Sequence, residues 1–140
     1  QLARQLDITV EGPLDPENSR VVGLVGSLAE PVSARDFARR VSDVMGREPL
    51  LIEGEQVIRR VGWCTGGGQG YIDQAIAAGV DLFISGEASE QTFHSARENG
   101  ISFIAAGHHA TERYGVQALG DYLARRFALE HLFIDCPNPV

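Results

Sequence analysis

The sequence predicts an α/β fold: a layered domain with a mixed, partly parallel sheet flanked by helices. Two observations carry that expectation. From Val57 onward, short apolar runs alternate with amphipathic stretches of helix length, the pattern of strands joined by crossover helices. Each of the three runs ends in a glycine-containing turn, at 65–70, 86–87 and 107, so the units share one plan. A length of 140 residues fits one domain with a sizeable core.

The elements can be justified in order. Residues 1–6 read as the last turns of a helix, and with no initiator Met we expect a processed or truncated chain. A polar connector with Gly12, Pro13 and Pro16 follows at 11–20, completing a first section at 1–20. Residues 21–56 read as strand–helix–strand. The first strand, 21–28, is expected to end at Glu30 and Pro31. Ser33 is placed to cap the next helix, with Asp36 at its third position and Val32 packing on Phe37 as a staple. Phe37, Val41, Val44 and Met45 make its apolar face, Gly46 its stop, and 50–52 the next strand.

Section 57–140 holds the three strand–turn–helix units. Their strands are expected at 57–64, 81–85 and 101–106, and their helices at 71–78, 89–99 and 108–127. Val116, Leu119, Leu123 and Phe127 recur at helical spacing and predict a core-facing stripe on the last helix. Leu132, Phe133 and Ile134 predict a closing strand. If the three strands are parallel neighbours, their turns lie at one edge of the sheet, where open α/β sheets bind ligands.

Composition excludes several functions. A net charge of −7 with no basic run argues against non-specific nucleic-acid binding. The basic residues are all arginine, which removes Schiff-base and phosphate-loop lysine chemistry. Cys64 and Cys136 form no C-x-x-C pair, so reduced thiols in a cytoplasm are expected. No apolar run approaches the ~20 residues that span a bilayer, and no signal-peptide pattern opens the given sequence, so no membrane partner is expected.

The third turn holds the strongest chemistry. His108 and Glu112 are four apart, so on a helix they share a face and can grip one ion together. Imidazole nitrogen and carboxylate oxygen are ligands of zinc, iron and manganese. Two ligands do not close a site. His109 points about 100° away and would orient a neighbour or contact substrate. Arg113 would hold a phosphate or bond a nearby carboxylate.

The other two turns offer weaker signals. Thr65, Gly66, Gly67 and Gly68 stand between strand and helix, where backbone amides can receive a small anionic ligand; the bland reading is a turn that needs glycine. Neither the dinucleotide pattern nor the phosphate-loop pattern fits. Glu90 and His94 are four apart and could serve as an acid–base pair, or be an ordinary exposed pair; Glu87 joins them as a candidate proton carrier. Cys64 reads as a nucleophile or, more simply, as a small buried apolar residue. His131 reads as surface.

Four segments resemble a known family. They are 61–68 (VGWCTGGG), 85–98 (SGEASEQTFHSARE), 106–113 (AGHHATER) and the ending Phe133-Ile134-Asp135 with Pro137-Asn138-Pro139. In this order they resemble the C-terminal half of the NGG-interacting-factor-three-like family, the GTP cyclohydrolase 1 type 2 homologues or YbgI-like dinuclear metal-binding proteins.

The resemblance implies a cytoplasmic, two-lobed α/β protein assembled as a toroidal hexamer, with two divalent ions in its cleft. It maps a histidine and a glutamate ligand onto His108 and Glu112. The family's other ligands, a His-His pair and an aspartate, have no counterpart here, since no histidine precedes His94. The expected site is therefore incomplete in this chain.

Two functions follow as expectations. One is the C-terminal part of a hydrolase-like protein acting on nucleotides or other phosphorylated metabolites through a metal-activated water, with Glu87, Glu90 or His94 handling protons. The other is a non-catalytic oligomeric scaffold that meets protein partners through a structural or vestigial metal site.

Overall fold

The structure is a computed structural model that describes residues 1–18, 20, 22–136 and 138–140. The described residues form one six-stranded sheet, in the order β1-β2-β4-β5-β6-β3. Its strands are β1 (Thr9–Pro13), β2 (Leu24–Val32), β3 (Leu50–Ile52), β4 (Ile58–Trp63), β5 (Leu82–Ser85) and β6 (Ser102–Ala105). Between them run α1 (Leu2–Gln5), α2 (Ala34–Met45), α3 (Ile72–Ala77), α4 (Glu90–Asn99) and α5 (His108–Phe127). The central strands β4, β5 and β6 are parallel, and the outer pairings are antiparallel, so the mixed α/β class is as expected.

The sheet is covered on both faces, and the alternation within β5 shows how. Leu82 and Ile84 join one core with Leu2, Leu6, Phe37, Val41, Ile58, Val61 and Ile104. Phe83, between them, joins the other core with Leu14, Val25, Ile72, Ala96 and Phe103. Successive strand side chains point to opposite faces, and a strand covered on both must be apolar throughout. Phe83 and Phe103 lie side by side at 5.9 Å between ring centroids. Full burial of each such ring stabilises the fold by roughly 1.5–3 kcal/mol.

Helix ends follow their sequence signals. Ser33 Oγ accepts from Asp36 N–H at the start of α2, and Gly46 ends that helix in the left-handed region at φ +70°. Val32 packs against the cluster that contains Phe37. At α4, Ser89 and Thr92 cap each other reciprocally, and Gly100 closes the helix.

Five expectations on secondary structure and packing need correction. The 11–20 connector begins later than predicted, because β1 runs to Pro13 as an edge strand. Nor does Pro31 end β2, which continues to Val32. β1 pairs only as far as Ser27, so Pro31 lies past that partner, where a missing N–H costs no ladder bond. The helix expected at 71–78 is a 3-10 turn (Gln69–Tyr71) followed by the short α3.

The two larger corrections concern the end of the chain. Residues 132–134 form no strand. Polar anchors hold this tail along α5 instead: His131 Nδ1 lies 2.9 Å from Asp121 Oδ1 and His109 Nε2 3.1 Å from Asp135 Oδ1. His131, read as surface, is partly exposed and lies over Gly120.

The stripe on α5 does not face the core. Val116, Leu119, Leu123 and Phe127 are 58%, 56%, 39% and 60% exposed. The start of α5 is gripped, through buried Ala110 and Thr111 and through Tyr114, which packs on the core and donates to Val44 C=O at 2.8 Å. No helix among the described residues is long and apolar enough to cross a membrane.

Candidate functional site

Parallel pairing brings the three predicted turns together. Val61, Gly62 and Trp63 lie level with Leu82, Phe83 and Ile84, and β6 continues the register from Ser102 to Ala105. The turns after β4, β5 and β6 therefore leave the sheet at one edge. They are also bonded to one another. Gly66 C=O accepts Gly86 N–H at 2.8 Å and Ser85 Oγ–H at 3.2 Å, while Gly107 N–H donates to Gly86 C=O at 3.0 Å.

Thr111, 2% exposed, ties α5 into this knot. Its Oγ1 accepts Gly66 N–H at 2.9 Å and donates to His108 C=O at 3.0 Å. Sequence reading did not single out Thr111 or Ser85 for this role. Their buried hydroxyls become meaningful only once their partners are in place.

His108 sits where the turns meet. Its Nδ1 lies 2.6 Å from Glu87 Oε1, and its Nε2 lies 3.4 Å from Glu112 Oε2. The first is a short, charge-assisted hydrogen bond; the second is longer than such a bond. The i,i+4 spacing on α5 makes the second contact, and the β5–α4 turn makes the first.

The His108 pKa is raised, first by its hydrogen bond to Glu87 and then by the Glu112 charge, against the opposing effect of desolvation. Glu87 is correspondingly lowered, first by the His108 bond. Burial raises the Cys64 thiol, and the Glu112 charge adds to it. Cys64 is 3% exposed and packs in an apolar cluster, the simpler of its two readings.

The glycines make room for this pair. A side chain at Gly66, which has φ +62°, would collide with Glu112 Oε1 and come within 2.9 Å of His108 Nε2. At Gly86 a Cβ would meet Gly66 C=O at 2.6 Å and His108 Cα at 2.7 Å. Gly66 N–H is taken by Thr111, and Gly68 N–H donates to Gly66 C=O at 2.9 Å. Those two amides are engaged within the fold.

Thr65 is exposed and lines a cavity of about 350 Å³ with Leu2, Thr111, Glu112 and Tyr114. That is in the range of small-ligand pockets. A larger cavity, about 560 Å³, lies around Pro13, Arg60 and Gln74 and contains none of the singled-out residues. The chemistry favours the smaller one.

Other predicted residues make no bond to the pair. Glu90 and His94 are exposed on α4, and His94 stands edge-on to Phe93 at 5.4 Å. His109 points away from His108, as its spacing predicts, and reaches Asp135. Arg113 donates to Met45 C=O at 2.9 Å and lies 3.6 Å from Asp135 Oδ2, a carboxylate rather than a phosphate role.

His108 and Glu112 can be tested as metal ligands on their geometry. An edge of 3.4 Å is what a tetrahedral ion with bonds of about 2.1 Å requires of two donors. Glu87 on Nδ1 leaves Nε2 as the free donor of a neutral ring, the usual carboxylate–histidine arrangement beside a metal. The pair fits one edge of a site. Among the described residues, no group of three or more His, Cys, Asp or Glu side chains is placed to hold an ion.

Fold and site together define an α/β unit with a histidine–carboxylate pair at the carboxyl edge of its parallel strands. The sequence profile of Duf34/NIF3 (NGG1p interacting factor 3) matches residues 1–139. The chain belongs to that family.

A "GTP cyclohydrolase 1 type 2 homolog" of Pseudomonas aeruginosa is 75% identical over 139 residues, covering 99% of this chain and 55% of the relative. The solved structure of protein ybgI, described as of unknown function, superposes with a TM-score of 0.93 at 49% identity, covering 100% of this chain and 56% of that one. A Thermus thermophilus protein, TTHA1606, gives 0.82 at 31% identity over 99% of this chain and 54% of its own. The chain spans about half the length of the relatives it matches.

Proposed function

We propose that this chain supplies the His108–Glu112 edge of a divalent-metal site in a hydrolase-like protein of the family. The carrying observation is the pair itself: Nε2 and Oε2 stand 3.4 Å apart while Glu87 holds the opposite ring nitrogen. Zinc, iron or manganese suits this donor set. Such an ion, when bound, lowers the pKa of a coordinated water and makes a nucleophile available at neutral pH.

The chain's own residues do the rest. His108 and Glu112 would hold the ion, and Thr65 lines the adjoining cavity on the Glu112 side. Further ligands, and the second ion of the pair that the family resemblance implies, come from outside the described residues. Nucleotides or other phosphorylated metabolites are the proposed substrates, supported by the name of the relatives and by the cleft-edge position of the site.

A second reading, an oligomeric scaffold in the cytoplasm, has its own support. Val116, Leu119, Tyr122, Leu123 and Phe127 expose apolar surface along one helix, and such patches mark association sites. A hexamer and protein partners belong to that reading.

The first test is metal content per chain, by elemental analysis, of this protein and its His108→Ala variant. Zinc that co-purifies with the parent and disappears from the variant supports the site. Equal, non-zero metal in both sinks it, and no metal in either means that the ligands outside the described residues are needed to hold the ion.

A further inference from the structure

Gln69 follows the glycine turn, and the metal reading gives it no task. Its side chain is nevertheless half-buried and aimed. Nε2–H donates to Glu87 Oε2 at 3.3 Å, while Oε1 is buried with no hydrogen-bond partner among the described residues. The carboxylate sets the direction of the amide, since the flipped group would put oxygen against oxygen. A buried acceptor left unpaired costs stability, and such a group calls for an explanation.

Glu87 is held from both sides. Oε2 takes the Gln69 amide, Oε1 takes His108 Nδ1 at 2.6 Å, and the carboxylate lies across Gly67, whose built Cβ would sit 3.7 Å from it. An ionised carboxylate only accepts hydrogen bonds, so the shared proton lies on Nδ1. In the neutral ring the lone pair is then on Nε2, the atom that faces Glu112 at 3.4 Å.

We infer that Gln69 and Glu87 form a positioning relay that fixes His108 in its Nδ1–H tautomer and aims Nε2 toward Glu112. The inference rests on the reading of His108 and Glu112 as a ligand pair, and neither relay residue is itself a ligand. It gives Glu87 a task other than carrying protons, because both of its oxygens are engaged. A ring without this restraint samples both tautomers and rotates, and a metal finds its donor only part of the time.

The test uses the 140-residue protein and three variants: Glu87→Gln, Glu87→Ala and Gln69→Leu. Glu87 is partly exposed and Gln69 half-buried in a surface turn, so the fold tolerates these changes. Long-range 15N–1H spectra at alkaline pH read the tautomer of His108 directly, and calorimetry reads zinc affinity.

The parent should show a single Nδ1–H form. Glu87→Gln leaves one acceptor oxygen for two donors, so it should hold the Nδ1–H form less completely than the parent. Glu87→Ala should show mixed tautomers and bind zinc about 10–100-fold more weakly. Gln69→Leu should change both readouts in the same direction, with roughly a 10-fold loss.

An unchanged tautomer in Glu87→Ala overturns the relay, even if zinc still binds. Parent-like behaviour of Gln69→Leu in both readouts overturns the part assigned to Gln69. Absence of zinc binding throughout, with the tautomers shifting as expected, leaves the relay standing and rejects His108 and Glu112 as a pair that holds zinc within this chain alone.

Discussion

Helix α5 joins two stretches with opposite relations to the fold. Its first turn is locked in place: Ala110 and Thr111 are 5% and 2% exposed, and Thr111 bonds Gly66 across to the β4 turn. From Val116 onward the larger apolar side chains stand open, with Tyr122 56% exposed beside Leu119 and Phe127. At about 100° per residue, Val116, Leu119 and Leu123 fall on the same side as His108 and Glu112, opposite Ala110, with Thr111 at the border about 60° from His108. The face that carries the candidate ligands thus continues as an apolar surface. Amphipathicity says that a helix has a face to cover; it does not say which body covers it.

Substitutions can break or sharpen this contrast. The largest effect is expected at Gly86, where an added side chain meets backbone of both the glycine turn and α5. Gly86→Val should lower stability by about 3 kcal/mol in urea unfolding, through overpacking. A loss well under 1 kcal/mol would mean that the three turns are less tightly knotted than the structure shows. Thr111→Val keeps the shape but leaves Gly66 N–H buried without its acceptor, and about 1–2 kcal/mol should be lost. A neutral result would detach α5 from the glycine turn.

A smaller effect belongs to the partly exposed His108–Glu87 pair in metal-free protein. The raised His108 pKa means stability that is present below the ordinary histidine value of about 6.5 and lost as pH rises through the raised value. The lowered Glu87 pKa means stability present above about 4.3 and lost as pH falls through the lowered value. The parent should therefore gain most over Glu87→Gln at mildly acid pH, with the difference shrinking toward both extremes. A difference that grows toward alkaline pH would contradict the pairing.

The smallest effect is expected in the open half of α5. Leu119→Gln keeps helix propensity and removes a side chain that is 56% exposed, so stability should stay within about 0.5 kcal/mol. A loss of 2 kcal/mol or more would place the stripe in the core after all.

Much of the site was legible before the structure. His108 and Glu112 come together because helical periodicity alone brings i and i+4 side by side. The shared edge of the three turns follows from three similar units, since parallel strands must end on the same side. Glu87 was singled out as a proton carrier and lies in the site, but with both oxygens bonded. Glu90 and His94 obey the same spacing rule as His108 and Glu112, yet they are exposed on α4 and bond to neither member of that pair. Spacing reports which residues share a helix face, never what lies opposite it.

What the sequence by itself determined is local. Short apolar runs built the central strands, Ser33 and Ser89 started helices, Gly46 and Gly100 ended them, and a strand–glycine–helix turn placed His108. Only the tertiary structure decided the rest: that residues 132–134 lie along α5 rather than in the sheet, that the α5 stripe faces outward, and that Gln69 reaches Glu87. Caps and periodic faces arise within a few residues of chain. These three features depend on bonds and steric limits between segments far apart in sequence, which exist only after the sheet has assembled.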